Sequence, residues 1–166
     1  MKTTAAYEIR EMRPEDAPAV KALEIEAGLS PWPVADYAAE AVRGDSAAHV
    51  AERRGKVIGF IIARLITISN HPTHSDTSMT RLEIYNLAVS RVARREGIGE
   101  SLFRVAVAAG RRTGSVDSAE LEVRRANTGA IRFYEQLGFR RTGLRRSFYV
   151  NPADDAVQMT ADLMNA

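Results

Sequence analysis

The sequence predicts an α/β (α+β) fold, a mixed sheet with a parallel centre flanked by helices. Three observations carry this. Leu82–Val89 reads as a strand that passes through a short turn into a helical pattern starting at Ile98. Ala119–Val123 repeats the arrangement, with a helix over Thr128–Leu137 behind it. Parallel neighbours need a helical crossover, so two strand-helix units in succession argue for a parallel centre. The third observation is a hairpin pattern, Ala47–Arg53 and Lys56–Ile68 around Arg54-Gly55, which adds antiparallel strands. Ligands in such sheets sit at the carboxyl ends of the strands, here Val89 and Val123.

Taken in order, Tyr7–Met12 is a first short strand, and Pro14-Glu15-Asp16 opens a helix with proline and acids in its first turn. Ala17, Val20, Leu23 and Ile25 give that helix an approximate apolar stripe. Gly28–Pro33 breaks it, and Val34–Val42 forms a second short helix ended by Gly44. After the hairpin, Ser69–Thr80 has Pro72 and many small polar residues. It reads as a loop or irregular extension of a length that suits a lid. Beyond the strand Leu82–Val89, the apolar positions Ile98, Leu102, Val105 and Ala109 follow helical spacing, and the helix ends near Gly110–Gly114. Gly138 closes the helix Thr128–Leu137, and Phe139–Leu144 and Ala156–Leu163 supply two final strands. No repeat or flexible linker divides the 166 residues, so a single domain, 1–166, with one core is expected.

Composition narrows the chemistry. The chain has no cysteine, which excludes disulfides, thiolate metal sites and a cysteine nucleophile. A net charge of +2 suits an anionic ligand rather than a nucleic-acid platform. Arginines gather at positions 91, 94, 95, 111, 112, 124, 125, 140, 141, 145 and 146, but without the aromatic interleaving that stacks bases, so most form a solvated rim. The N-terminal residues hold no apolar stretch that could act as a signal, and no later run approaches the roughly 18 apolar residues of a membrane span. A cytoplasmic protein is expected, with no membrane or direct nucleic-acid partner, as a monomer or weak homodimer.

The chemistry-bearing segment is Arg94-Arg95-Glu96-Gly97-Ile98-Gly99, set between a strand and a long amphipathic helix. Glycines at 97 and 99 allow a tight turn, leave room for a bulky ligand and aim free amides of the helix N-terminus at a phosphate. The third glycine of a dinucleotide-binding fingerprint is missing, since Leu102 occupies its place, and no Gly-Lys-Ser/Thr ending marks a P-loop. A phosphorylated cofactor of another kind remains, as does an ordinary turn.

The segment resembles the coenzyme A loop of the GNAT-superfamily N-acetyltransferases, Gln/Arg-x-x-Gly-x-Gly/Ala, through Arg94, Gly97 and Gly99. Leu121-Glu122-Val123-Arg124, Asn127 and the run Ala130-Ile131-Arg132-Phe133-Tyr134-Glu135-Gln136-Leu137-Gly138-Phe139 are similar to the second half of that family. They look most like its RimI branch, the ribosomal-protein-alanine N-acetyltransferases. Arg145-Arg146-Ser147-Phe148-Tyr149 with Asp154 to Met159 resembles the end of that branch. The match runs from about Leu82 to Met159, and the first 80 residues fit only in general pattern. The resemblance implies a mostly antiparallel sheet with one parallel central pair and transfer of an acetyl group from acetyl-CoA to an amine, without a covalent enzyme intermediate.

Each residue also has a plainer reading. Alternation in Ala119–Val123 sends Leu121 and Val123 to one face and Glu122 to the other, where a carboxylate needs a partner such as an arginine. The resemblance makes Glu122 the general base, through water. Asn127 opens a helix and suits an N-cap; the resemblance has it bind the pantetheine chain. Asn127, Ile131 and Tyr134 share a helical face, so Tyr134 is either a core aromatic or, by resemblance, the general acid on the coenzyme A sulfur. The resemblance further assigns the backbone of Leu87, Ala88 and Val89 to the pantetheine arm and the acetyl carbonyl. The amides of Arg95, Glu96, Gly97, Ile98, Gly99 and Glu100 go to the pyrophosphate. Glu96 departs from the basic or neutral residue frequent in the loop. Its carboxylate should point to solvent, with slightly weaker cofactor binding than an arginine would give.

The acceptor side is less defined. Ser147-Phe148-Tyr149-Val150-Asn151-Pro152 departs from the branch's Tyr-Tyr-Pro run. Phe148 and Tyr149 either cover the first residues of an acceptor peptide or are ordinary strand aromatics. Glu83 and Tyr85 alternate with Leu82 and Ile84, and one or both are expected to line the acceptor side. Trp32, between two prolines, anchors the turn between helices or touches the acceptor. His71 and His74 with Asp76 invite a metal reading, but Pro72 breaks a helical pair, and no metal site is expected. The resulting expectation is an acetyl-CoA-dependent N-acetyltransferase acting on a protein N-terminal amine, with a ribosomal protein as acceptor. A lysine or small-amine acetyltransferase and a non-catalytic coenzyme A sensor are the alternatives.

Overall fold

A computed structural model describes residues 6–69 and 78–164. Its elements follow one another as β1 (Glu8–Glu11), α1 (Ala17–Ala27), α2 (Val34–Glu40), β2 (His49–Arg53), β3 (Lys56–Ser69), β4 (Ser78–Val89), α3 (Ile98–Arg111), β5 (Ser118–Arg124), α4 (Thr128–Gln136), β6 (Arg140–Val150) and β7 (Ala153–Asp162). This is the succession read from the sequence, with longer strands in the second half. The seven strands are ordered β1-β2-β3-β4-β5-β7-β6. Among the described residues β4 and β5 pair in parallel, across α3, whereas β1 with β2, β2 with β3, β5 with β7 and β6 with β7 pair antiparallel, so the sheet is mixed and mostly antiparallel as expected. The central part of the predicted lid, with His71, Pro72, His74 and Asp76, lies outside the described residues. Among the described residues, no helix is long and apolar enough to cross a membrane.

The chain divides into two compact units, Met1–Arg64 with Asn86–Thr113 and Leu65–Tyr85 with Gly114–Ala166. In the first, the predicted hairpin forms through Arg54 and Gly55, both at positive φ (52° and 72°), the two-residue turn that matches strand twist. Its core gathers Met12, Val20, Leu23, Tyr37, Val50, Phe60 and Ile62. The stripe of α1 differs from the predicted one: Ile25 is exposed and Glu24 buried, because 20, 23, 24 and 27 keep helical spacing while 25 lies about 100° away. Glu24 is accommodated by donors, the Trp32 amide (2.8 Å), the Tyr37 hydroxyl (2.7 Å) and Lys21. Asn86 in turn donates to the Tyr37 oxygen (3.1 Å).

Two further differences concern helices. The second helix ends at Glu40, two residues short of the predicted Val42 and before Gly44, closing through Val42 N–H to Ala39 and Arg43 N–H to Glu40, tight bonds that need no glycine. In α3 the buried face is Ile98, Leu102, Phe103, Ala106, Val107 and Gly110; Val105 and Ala109 are half-buried. That face packs on β3 at Gly59, where a Cβ would lie 3.2 Å from the Ala88 carbonyl and 3.3 Å from both Ile98 and Leu102.

In the second unit, β5, β7 and β6 form an antiparallel set beside the first half of β4. Burial alternates along β5 as predicted, with Ala119, Leu121 and Val123 buried. The last strand pair is longer than the sequence suggested. Phe139 stays outside as a buried anchor, and β6 runs on to Val150 because two register irregularities, at Arg141/Gly143 and Arg145/Tyr149, absorb extra residues without ending the ladder.

Candidate active site

The turn before α3 is built by backbone conformation. Arg95 and Gly97 adopt positive φ (65° and 78°), and Gly97 occupies the N-cap position with no side chain capping the helix. The first intrahelical bond is Ser101 N–H to the Gly97 carbonyl, 3.0 Å, so the amides of Ile98, Gly99 and Glu100 have no partner inside the helix. The Glu100 carboxylate is engaged by Arg104 one turn on (2.8 Å) rather than folding back over them. Uncapped amides preceded by two left-handed residues make a concave, partly positive end suited to a phosphate group.

The surroundings hold this turn in place. Arg94 donates to the Val89 carbonyl (3.1 Å), clasping the loop to the end of β4, and Glu26 of α1 accepts from the Arg91 amide (2.6 Å) and Ser90 (3.3 Å). Glu96 corrects one expectation: its carboxylate does not point to solvent but pairs with Arg53 of β2. Its charge is thereby offset by a guanidinium.

The parallel ladder between β4 and β5 covers only four pairs, Arg81↔Ser118 to Ile84↔Leu121. From Tyr85 to Val89, including Leu87, Ala88 and Val89, β4 continues without that partner. A strand edge without a neighbouring strand is what a pantetheine-like amide chain would pair with.

In the second unit, Glu122 projects from β5 off the core face. Its Oε1 accepts from Arg145 Nη1 (2.8 Å) and Gln158 Nε2 (3.2 Å). The plainer reading of Glu122, an arginine-paired carboxylate, is thus part of its setting. The Arg145 guanidinium also lies over the Phe148 ring (4.3 Å), Arg124 lies over Tyr149 (4.1 Å), and the two rings meet edge to face at 5.0 Å. These aromatics are aimed by the second β6 irregularity, where Ser147 takes a positive φ (52°) and donates its amide to Asp155 (2.9 Å).

Tyr134 is buried on α4 against Phe133 and Phe139, with ring centroids at 5.2 and 5.5 Å. Burial pushes its hydroxyl well above the usual tyrosine range, with the Tyr149 hydroxyl adding to the effect. The proton therefore stays on at neutral pH, the state a proton donor requires. Burial also raises Tyr149, which Arg124 opposes and Glu122 and Asp154 reinforce. Tyr149 thus senses Glu122, and Tyr134 senses Tyr149. Asn127 caps α4, its Oδ1 accepting from Ala130 N–H at 3.1 Å, and is exposed rather than buried with Ile131 and Tyr134.

The family model described as "Acetyltransferase (GNAT) family" matches residues 7–139. The chain belongs to the GNAT acetyltransferase family. It is accordingly an acetyl-CoA-dependent N-acetyltransferase. The N-alpha-acetyltransferase of Sulfurisphaera tokodaii is 31% identical over 119 residues, 72% of this chain and 71% of that protein. The [ribosomal protein bS18]-alanine N-acetyltransferase of Escherichia coli K12 is 27% identical over 154 residues, 91% of this chain and 94% of that one. Among solved structures, Ard1 from Thermoplasma volcanium superposes with a TM-score of 0.80 at 26% identity, covering 97% of this chain and all (100%) of that chain.

For this GNAT chain, the remaining predicted residues fall in two places. Trp32 stacks on Tyr37 (5.4 Å, 26° between planes) while Lys21 donates to its carbonyl (2.8 Å), so it anchors the turn after α1. Glu83 and Tyr85 share a face of β4, and the Tyr85 hydroxyl donates to Glu83 (3.2 Å). Sequence reading missed Arg53, Glu26, Arg145 and Gln158 as partners of the functional segments. Alternation puts Gln158 off the core face of its strand, but only the strand order reveals that it stands opposite Glu122.

Proposed function

We propose that this chain transfers the acetyl group of acetyl-CoA to the α-amine of a protein N-terminus, that a ribosomal protein is the acceptor, and that the chain works as one domain. The reading is carried by relatives named for α-amine and ribosomal-protein-alanine acetylation, together with a buried, protonated Tyr134 and a carboxylate at Glu122. Acetyl-CoA supplies an activated thioester and a thiolate leaving group.

The chain's own residues perform the rest. The amides of Arg95 to Glu100 bind pyrophosphate, with Gly97 and Gly99 giving room for its approach. The backbone of Leu87 to Val89 orients the pantetheine arm and polarises the acetyl carbonyl by hydrogen bonding. Asn127 adds a side-chain contact to that arm. Glu122 accepts the proton lost by the acceptor ammonium, through water, and Tyr134 returns one to the departing sulfur. Phe148 and Tyr149, with Glu83 and Tyr85, contact the acceptor's first residues.

The deciding experiment measures free-thiol release from acetyl-CoA with a panel of N-terminal peptides, beginning with an Ala-Arg peptide, beside lysine peptides and polyamines. Selective turnover of the N-terminal peptides, with the added mass at the α-amine, is the expected result. Turnover confined to small amines or lysine side chains overturns the acceptor assignment, and cofactor binding without turnover on any amine replaces it with a sensor. In the same assay Glu122→Gln should lower kcat about tenfold or more.

A further inference from the structure

Three strands bring one residue each into a single row on the sheet: Glu122 on β5 stands opposite Gln158 on β7, and Gln158 stands opposite Gly143 on β6. Directly opposed side chains sit about 5 Å apart at Cβ, so a glutamine spans the gap to its neighbour's carboxylate. Gln158 does so, its Nε2 donating to Glu122 Oε1 at 3.2 Å. The amide's other end lies over Gly143, where a Cβ would fall 2.3 Å from Gln158 Oε1 and 3.3 Å from its Cδ. Gly143 follows the first β6 irregularity and is not at positive φ, so open space above the strand, not backbone conformation, is what the glycine provides.

We propose that Gln158 is a positioning residue for Glu122, and that Gly143 is kept free of a side chain to let it act. The inference rests on the assignment of Glu122 as general base. Gln158 and Arg145 both engage Oε1, whereas Oε2 has no protein partner among the described residues. A carboxylate gripped by one oxygen cannot rotate freely, and its second oxygen is left as the basic one. Arg145, half-exposed and also stacked on Phe148, can follow that ring; Gln158, on an inner strand, gives the fixed reference.

The test is a double-mutant cycle on kcat with Glu122→Gln, using Gln158→Met, close in shape but unable to donate, and Gly143→Ala, which displaces the amide while retaining it. Gln158→Met should lower kcat about fivefold to tenfold and Gly143→Ala about threefold, with KM for acetyl-CoA unchanged. In the Glu122→Gln background, each should change kcat by less than about twofold. Equal losses in both backgrounds, or none in either, overturn the proposal. Should Glu122→Gln itself retain parental kcat, the base assignment falls, and the positioning claim is read separately from the ¹³C carboxyl resonance of Glu122 at neutral pH. A resonance moved by both Gln158→Met and Gly143→Ala sustains it; one that stays in place overturns it. Thermal unfolding of each variant checks that the fold is retained.

Discussion

The turn before α3 and the Glu122 sector of the second unit are built in opposite ways. The turn uses backbone: two left-handed residues, an uncapped helix start and amides that every residue carries. The Glu122 sector uses side chains from three strands: Gln158 of β7 stands directly opposite Glu122, and Arg145 of β6, paired with Ala156, reaches across to the same oxygen. A backbone site is specified by a few adjacent residues and tolerates change in most side chains. A side-chain site depends on distant residues meeting, and each is individually exposed to substitution.

Substitutions should divide along this line. The largest effect is expected at Tyr134: Tyr134→Phe should cut kcat about 100-fold while leaving the affinity for acetyl-CoA, measured calorimetrically, unchanged. A tyrosine that serves only the core would instead lose stability and leave turnover near the parent value. Gly97→Val should act the other way. Forcing a branched residue into the left-handed region costs about 1–2 kcal/mol, so Kd for acetyl-CoA should rise about tenfold with kcat at saturation preserved. A normal Kd in that variant would break the contrast.

Asn127→Ala probes a residue that belongs to both descriptions, as a local cap and as a side chain assigned to the cofactor. Loss of the cap should reduce stability by about 1 kcal/mol in denaturant titration. An accompanying rise in Kd at a temperature where the variant remains folded would count it with the cofactor contacts. The smallest effect is expected at His49, buried in β2, where burial lowers its affinity for a proton below the ordinary value. The unfolded chain then takes up a proton that the folded one resists. Stability is therefore full above about pH 6.5 and is lost as pH falls toward the lower folded value. His49→Gln should flatten the difference in denaturation midpoint between about pH 7 and pH 5; an unchanged slope would assign it to other groups.

The contrast also explains which readings from the sequence matched the molecule. The glycine turn, the Arg54-Gly55 hairpin and the Asn127 cap are local, and each was legible from a few neighbouring residues. Ile25 was misread because a stripe of four apolar residues was preferred to helical spacing, while the buried Glu24 gave no apolar signal and depends on donors from Trp32 and Tyr37, 8 and 13 residues away. The reach of β6 beyond Leu144 to Val150 is not legible locally because the irregularity at Arg145/Tyr149 adds residues to one strand, and a bulge needs a partner strand to be recognised. Glu96 was assigned to solvent because Arg53, 43 residues earlier, could not be placed beside it.

The sequence by itself determined the order of elements, the glycine turn before α3, the GNAT resemblance and the identity of the residues with chemistry to offer. Those follow from conformational preferences and periodicities that act over one turn of helix or a few strand positions. Tertiary structure alone decided that Glu96 meets Arg53, that Glu24 is satisfied inside a core, and that Gln158 and Arg145 converge on one oxygen of Glu122. The reason is physical: pairing register and strand order bring together residues far apart in the chain, and no local preference encodes which of them will be neighbours.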